Sequence, residues 1–568
     1  MYRDKFNIIN IKLKKNYAMI KHTINNLMSK VVSLILLLGL YSCEDFLEII
    51  PKSQVSDAIV WISTDNAQLF LNNIYADIPD YRGEPLDNYS DDGVHAFSEV
   101  TSSRNYYNLS VYTPSDAPNH WGSYSSIRKC NLFINNVTSK NLPDSWKTQK
   151  LAEARFLRAY YYHLLWTWHG GVPIITEILD ESSQGDDIFR ARNTSEETFT
   201  FITNELASIV NDLPLTAKPA GIATQGAALA LKGWCELFEA SPLKNPNNDI
   251  SKWALAAATN KEVMDLGVYN LFPDYNTMLL EENNNNVESI FAKQCLGGTM
   301  IRSNIVERLS VAFVGGKARL ASRCNPSQEL VDAYFMANGL PITDPSSGYD
   351  PQNPYLNREQ RFYQSIIYDG SEWCGFETVM KQGVGSLNRT DLGDMDVSTN
   401  TGYYWRKGLN EKYATFGNTD NSANYVIFRY AEILLSYAEA QNEASGPDAS
   451  VYEAIRKVRA RVELPPLPDG LNQEQMRKAI HRERRVELAV EAKRWYDLLR
   501  WRLAEVNLNG NLHAILITFD EENDKWVYES VPAAAGAKKF YPEKNYLLPV
   551  PQGAMDRNVK LVQNPGYD

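Results

Sequence analysis

The chain has 568 residues, a formal net charge of −12 at pH 7 and 11% aromatic residues. The acidic excess argues against nucleic-acid binding and against electrostatic attraction to anionic lipid, while the length allows a large core with two or three lobes. Five widely spaced cysteines follow Cys43 without a CxxC motif or a His/Cys cluster, so a structural zinc site is not expected and the disulfide pairing stays open.

The N-terminal region carries an export signal. The apolar run Val31–Leu40 follows Lys30 and is too short to cross a bilayer, which takes about 20 residues. Leu-Tyr-Ser-Cys, ending at Cys43, is typical of a lipoprotein signal, in which Cys43 is acylated and becomes the first mature residue. An ordinary signal with a chance cysteine is the alternative. Removing residues 1–42, seven Lys/Arg and one Asp, would change the net charge from −12 to −18, so lipid and not charge would hold the protein at a membrane.

Apolar residues at three- to four-residue spacing predict four helices in the N-terminal half. They fall in the segments 151–171, 194–214, 224–242 and 251–267. The first stops at Gly170, and Pro173 prevents it from resuming. The second opens with a capping box at Thr194 or Ser195 and ends at Pro214.

The C-terminal part is again helical. Segments 428–444 and 451–464 flank Gly446-Pro447 and predict an antiparallel helical hairpin, and 472–505 predicts one long helix. Helix–turn–helix units of this size are typical of a tetratricopeptide-type solenoid. The predicted fold class is therefore mainly α.

The middle of the chain differs in composition. Residues 270–424 are rich in Gly, Asn, Pro and Asp and contain only short periodic pieces, and a second loop-rich patch covers 79–119. A structureless stretch of that length is improbable inside a compact domain. We therefore expect a loop-rich insertion with short helices and strands, laid on the helical scaffold.

The most charged motif is HRERRVELAVEAKRW, residues 481–495. Its acids and bases at i, i+3 and i+4 spacing predict ion pairs along a partly buried helix rather than an anion site. The residues concerned are Glu483, Arg484, Arg485, Glu487, Glu491 and Arg494.

No pattern in the chain requires catalysis. There is no nucleophile elbow and no phosphate-binding loop, and His163 and His169 are expected to pack within an aromatic helix. Asp391, Asp394 and Asp396 lack the glycine and the distal glutamate of an EF-hand loop, so a calcium site is only weakly indicated. We predict no catalytic residue, no metal site and no cofactor.

Four segments together resemble the SusD/RagB family of outer-membrane nutrient-binding lipoproteins of the starch-utilisation type. They are EARFLRAYYYHLLWTWHGGVPI, FRYAEILLSYAEAQNE, HRERRVELAVEAKRWYDLLRW and the terminal NYLLPVPQGAMDRNVKLVQNPGYD. Weaker matches fill the gaps, so the resemblance covers nearly the whole chain after Cys43. One departure is local: where the family pattern has Glu-Gly, this chain has Glu491-Ala492.

The resemblance implies a lipid-anchored protein on the outer face of an outer membrane. It implies four tetratricopeptide-like units, no catalysis, and a SusC-like TonB-dependent transporter as the partner that receives captured oligosaccharide. The acidic pair Glu44-Asp45 after the lipidated cysteine resembles the signal for surface export.

The resemblance also implies a binding face built from the patch 79–119 and the insertion. Sugar binding needs flat aromatic faces and planar polar groups. The residues that combine both types in these regions are Asp92, Arg104, Asn105, Tyr106, Tyr107 and Trp373. Trp121, at the start of a helix, is expected to belong to the framework, as is the aromatic segment TGYYWRK.

These inferences divide the chain into a lipoprotein signal and three further parts. They are the signal 1–42, an N-terminal scaffold part 43–270, a ligand-facing insertion 271–424 and a C-terminal scaffold part with tail 425–568. The expected function is capture of glycans at the cell surface. Peptide binding on the same scaffold, a surface glycosidase and a scaffold without a small ligand are the alternatives.

Overall fold

The computed structural model describes residues 60–81, 86–95, 107–297, 309–314, 317–319, 324–384, 399–414 and 420–567. Helices dominate, which confirms the predicted mainly α class. Ten helices of seven residues or more occur in this part of the chain: α1 Thr64–Ala76, α2 Ser123–Ser139, α3 Asp144–His169, α4 Ser195–Ile209, α5 Gln225–Ala240, α6 Ile250–Asp265, α7 Tyr430–Ser445, α8 Ala449–Arg461, α9 Gln473–Glu487 and α10 Arg494–Arg500. Shorter helices are Glu181–Gln184, Gln328–Val331, Gln360–Ser365, Ala504–Asn507 and Gln552–Arg557.

The long helices form a stack. From α1 to α6 each helix packs against the next, α3 also contacts α1 and α5, and α6 then packs against α7. In turn α7 packs against α8 and α9. Since residues 266 to 429 separate α6 from α7, the scaffold is continuous in space although the insertion interrupts it in sequence.

Local signals set the helix ends. Thr194 and Glu197 form the predicted capping box at the start of α4, with the Thr194 hydroxyl accepting from the Glu197 N–H and the Glu197 carboxylate accepting from the Thr194 N–H. At the end of α3, Gly170 has φ +78°, a conformation that glycine adopts without strain.

The strands form two-stranded antiparallel sheets. They are β1 Gly93–His95, β2 Ser289–Lys293, β3 Ala312–Val314, β4 Lys317–Arg319, β5 Cys324–Pro326, β6 Ile366–Ile367, β7 Glu372–Trp373, β8 Phe376–Glu377, β9 Tyr404–Trp405, β10 Tyr425–Arg429, β11 Gly510–Asp520 and β12 Lys525–Lys538. β2 pairs with β10, which brings the two ends of the insertion together. The long β11–β12 hairpin was not predicted from the sequence.

The insertion has its own hydrophobic core. Tyr403, Tyr404 and Trp405 are fully buried there, so the TGYYWRK segment is framework as predicted. Ile515 and Ile517 of β11 pack into the same core and attach the hairpin to the insertion.

The charged run is structural, as predicted, but it is not one helix. α9 ends at Glu487, and α10 starts only at Arg494, because Val490 and Ala492 have left-handed backbone with φ +61°. The prediction of one helix over 472–505 is therefore wrong. A turn separates the two helices, and the carboxylates of Glu487 and Glu491 on either side of its start contact segments that are distant in sequence.

Partners of the charged run lie on other elements, so pairing along the helix is also corrected. Glu487 pairs with Arg361 at 3.0 Å, with Arg429 at 2.7 Å and with Arg461. Glu491 pairs with Arg429 at 2.7 Å. These groups are almost fully buried, where a charge is tolerated only when it is paired.

Two further features of the described residues concern membrane-spanning helices and disulfides. None of the helices in the described ranges is long and apolar enough to cross a membrane. The five cysteines after Cys43 all lie in the described ranges and form no disulfide with one another there: Cys130, Cys235, Cys295, Cys324 and Cys374. His163 and His169 are buried in α3, as predicted.

Candidate ligand-binding face

Two strands and a loop meet at a junction within the predicted binding region. β1 pairs with β5, which places His95 opposite Cys324. The Asn400 side-chain amide donates to the His95 carbonyl oxygen at 2.9 Å, and the Asn400 N–H donates to the Asn325 side-chain oxygen at 3.2 Å. The described residues at this junction border three sequence segments that the structure does not describe: 96–106, 320–323 and 385–398.

A buried ion-pair cluster fixes the chain just before the junction. Both carboxylate oxygens of Asp91 accept from the Arg494 guanidinium, at 2.7 and 2.8 Å, and Asp92 accepts from Arg485 at 2.6 Å. Burial by itself would raise the pKa of Asp91, but the two guanidinium groups outweigh burial and lower that pKa. The cluster ties the first loop-rich patch to the charged run, 393 residues away along the chain.

Three predicted contact residues lie in the interior. Asp92 is fully buried in its ion pair, and the Tyr107 hydroxyl, on a side chain 6% exposed, accepts from the Trp495 indole N–H at 2.7 Å. Trp373 is fully buried, and its indole N–H donates to the Val311 carbonyl oxygen at 2.9 Å. The expectation that these three residues lie on an exposed face is wrong, because neighbouring segments cover the loops that carry them.

The other predicted positions lie outside the described residues. These are Arg104, Asn105 and Tyr106 of the candidate face, the lipidation site Cys43 and the aspartates Asp391, Asp394 and Asp396. Tyr107 directly follows the first three, and it is anchored through Trp495 of α10. The assignment of Arg104, Asn105 and Tyr106 stays a prediction.

Accessible aromatic surface occurs instead at the end of the β11–β12 hairpin. Phe519 and Trp526 are cross-strand partners with ring centroids 5.2 Å apart, and Phe519 is 44% exposed. The Lys381 ammonium lies 5.4 Å from the centre of the half-buried Trp526 ring and 3.4 Å from the Asp369 carboxylate. We call Phe519, Trp526 and Lys381 the hairpin tip.

The hairpin tip neighbours the junction. The Ile515 N–H donates to the Thr401 carbonyl at 2.9 Å, and the Gln382 N–H donates to the Ile517 carbonyl at 2.9 Å. Gln382 and Thr401 therefore both lie beside β11. Phe519 lies four residues beyond Ile515, about 14 Å along the strand.

The chemistry of the hairpin tip suits a polar ligand with apolar faces. Two adjoining rings offer flat hydrophobic area, and the partly exposed Lys381 ammonium beside them offers a hydrogen-bond donor, whereas the Asp369 carboxylate is buried. Sequence patterns contained a signal for this site. Residues 514–519 and 526–531 are rich in β-branched and aromatic side chains and flank an acidic turn, which is typical of a hairpin.

Among the described residues, no group of three or more His, Cys, Asp or Glu side chains is placed to hold a metal ion. The buried carboxylates described above are used in ion pairs with arginine.

Comparison with known proteins defines the class of this fold. A model of the SusD family matches residues 288–567, and a second model, described as starch-binding associating with outer membrane, matches residues 45–233. The chain belongs to the SusD/RagB family.

Individual relatives extend the similarity over most of the chain. A SusD-like protein of Bacteroides ovatus is 27% identical over 67% of this chain and 64% of its own length. SusD-like protein P2 of Formosa agariphila is 24% identical over 95% of this chain and 99% of its own length. The crystal structure of a SusD-like protein from Bacteroides fragilis has a TM-score of 0.76 and 27% identity, and covers 90% of this chain and 99% of that one.

A structure described as a laminarin binding SusD-like protein has the same fold. Its TM-score is 0.64 at 22% identity, with 89% of this chain and 100% of that chain covered.

Proposed function

We propose that the protein is a cell-surface lipoprotein that binds oligosaccharides and delivers them to a SusC-like TonB-dependent outer-membrane transporter. The observation that carries the proposal is membership of the SusD/RagB family, together with a matching family model described by starch binding at the outer membrane. The aromatic pair of the hairpin tip, in which Phe519 is exposed and Trp526 is half-buried, lies near the junction and supports a sugar-binding face there.

The proposed location is the outer face of the outer membrane. Cys43 would carry the lipid, since it follows a typical export signal and a lipoprotein motif. Acyl chains are the anchor in this proposal because an acidic mature chain is not attracted to anionic lipid. Replacing Cys43 by Ala should release the protein from membranes or leave it unprocessed.

The proposal assigns the protein no catalytic step. Relatives are described as carbohydrate binding, and the interior carboxylates of this chain are held by arginines rather than presented in pairs to a substrate. Incubating the pure protein with the oligosaccharides it binds should leave them intact. Cleaved products in chromatography would overturn this part of the proposal.

Binding on an open face of this kind should be weak. Stacking and hydroxyl hydrogen bonds contribute about 1 kcal/mol each, and association costs several kcal/mol, so we expect dissociation constants in roughly the micromolar to millimolar range. A glycan array followed by calorimetry with the best ligand measures this directly.

Variants of the hairpin tip and the predicted loop test the location. Phe519→Ala, Trp526→Ala and Tyr106→Ala should each weaken glycan binding about five- to tenfold, the loss of one stacking contact. Tyr541→Ala is the matched control, since Tyr541 is 40% exposed and is not part of the hairpin tip. If the three variants bind like the control, the face is wrongly placed. If a peptide pool binds and the array does not, the ligand is a peptide.

A further inference from the structure

A separate cleft opens on the scaffold, with a volume of about 590 Å³. Its walls are the start of α2, the segment 173–190 and the C-terminal stretch 551–561, so it shares no residue with the junction or the hairpin tip. Clefts of roughly 300–1,000 Å³ are the usual size for small-molecule sites. The cleft is thus large enough for one or two sugar rings.

Hydrogen bonds between the walls hold the cleft open. The Tyr124 hydroxyl donates to the Pro173 carbonyl and Arg128 donates to the Leu179 carbonyl, both at 2.7 Å. The Asn558 amide donates to the Arg190 carbonyl at 2.9 Å and fastens the C-terminal wall to the middle one. A cleft fixed in this way loses little conformational freedom when a ligand enters.

The cleft combines an aromatic wall with open space. The sequence predicts that Trp121 belongs to the framework, and this residue is half-buried. Its ring centroid lies 5.5 Å from that of His169 and 5.3 Å from that of Tyr124. The same side chain also lines the cleft. Gly122 and Gly553 line it too, and a Cβ added at either would meet no atom within 4 Å. A flat partner can therefore approach the Trp121 ring.

The charge of the cleft is opposite to that of the protein. Arg128, Arg190 and Arg557 line it, and among the described residues of its lining the only acid is Glu177, paired with Arg190 at 2.6 Å. Arg557 has no hydrogen bond or ion pair to any other described residue, and Arg128 uses one nitrogen on a carbonyl. Two guanidinium groups are therefore available in a chain with a net charge of −12.

We propose that this cleft binds an anionic saccharide, with the sugar ring against Trp121 and its carboxylate or sulfate on Arg557 and Arg128. Guanidinium donors match the geometry of both anions, and an aromatic face matches the C–H face of the ring. The inference rests on the proposed oligosaccharide-binding function and adds a second site with a charge preference.

The test is calorimetry on the full mature chain with three probes: trigalacturonate, a monosulfated chondroitin disaccharide and neutral maltotriose. At least one anionic probe should bind more tightly than maltotriose and should weaken as sodium chloride is raised. Arg557→Ala should weaken it about tenfold, while Arg456→Ala, an exposed arginine of α8 paired with Glu453, is the matched control and should have no effect. Trigalacturonate carries carboxylates alone, whereas the chondroitin disaccharide carries a carboxylate and a sulfate, so binding of the disaccharide but not of trigalacturonate indicates that the sulfate is needed.

A second variant removes the space instead of the charge. Gly553→Leu places a side chain where the structure has none and should abolish binding of the anionic probe without lowering the melting temperature. The proposal is overturned if neither anionic probe binds the wild type, or if Arg557→Ala and Gly553→Leu bind like Arg456→Ala. Phe519→Ala should leave this binding unchanged, so loss of the hairpin-tip site and loss of the cleft site give different results.

Discussion

Ala492 occupies a backbone position that suits glycine, and replacing it tests the account of the turn between α9 and α10. Its φ is +61°, which costs an L-residue roughly 1–2 kcal/mol, and it stands where the family pattern has glycine. Glycine would remove that strain. The substitution also has two costs. The greater freedom of glycine in the unfolded chain costs about 0.5–1 kcal/mol, and the loss of one buried methyl group costs up to about 0.8 kcal/mol. The net change for Ala492→Gly is therefore expected within about 1 kcal/mol of zero.

Ala489→Gly is the matched control for this prediction. Ala489 is 1% exposed, compared with 6% for Ala492, and lies three residues earlier without a positive φ. It should lose stability by about 1.5 kcal/mol, since the same two costs apply and no strain is relieved. Urea unfolding of both variants measures the difference, expected at about 1–2 kcal/mol in favour of Ala492→Gly. Equal losses would refute the claim that the left-handed backbone at Ala492 is strained.

Three further predictions concern the interior. Glu487→Gln should lower the free energy of unfolding by about 3–5 kcal/mol, because three buried arginines lose a shared carboxylate. Urea unfolding measures this loss. The control Glu474→Gln, on the exposed side of α9, should leave the free energy of unfolding unchanged. Burial, reinforced by Asp92, raises the pKa of Asp87 to about 7. The pKa of Asp87 is higher in the folded than in the unfolded state, so Asp87 lowers stability progressively as pH rises from about 4 through 7. Asp87→Asn should therefore stabilise the protein at pH 8 but not at pH 4. Equal effects of the substitution at both pH values would contradict this. Trp373→Ala should lower the melting temperature strongly, at a cost of about 3–5 kcal/mol, while calorimetry on the protein that stays folded shows unchanged glycan affinity.

Local chemistry along the chain determined the helical scaffold. The capping box at Thr194, the stop at Gly170 and the apolar spacing within α3 each act over four residues or fewer, so they can be recognised without the fold. The order of the segments that resemble the SusD/RagB family, from the aromatic helix to the terminal NPGY, also predicted the family.

Tertiary structure decided which of the loop residues are accessible. Tyr107 and Trp373 lie in loop-rich sequence, yet α10 and the insertion core cover them, and burial depends on neighbours hundreds of residues away. The hairpin tip and the arginine-lined cleft arise in the same way. Phe519 meets Trp526 only across a hairpin, and the cleft forms only where Trp121, Arg128 and Arg557 are brought together. Contacts between distant segments have no local signature, because each side chain could equally face solvent in another packing.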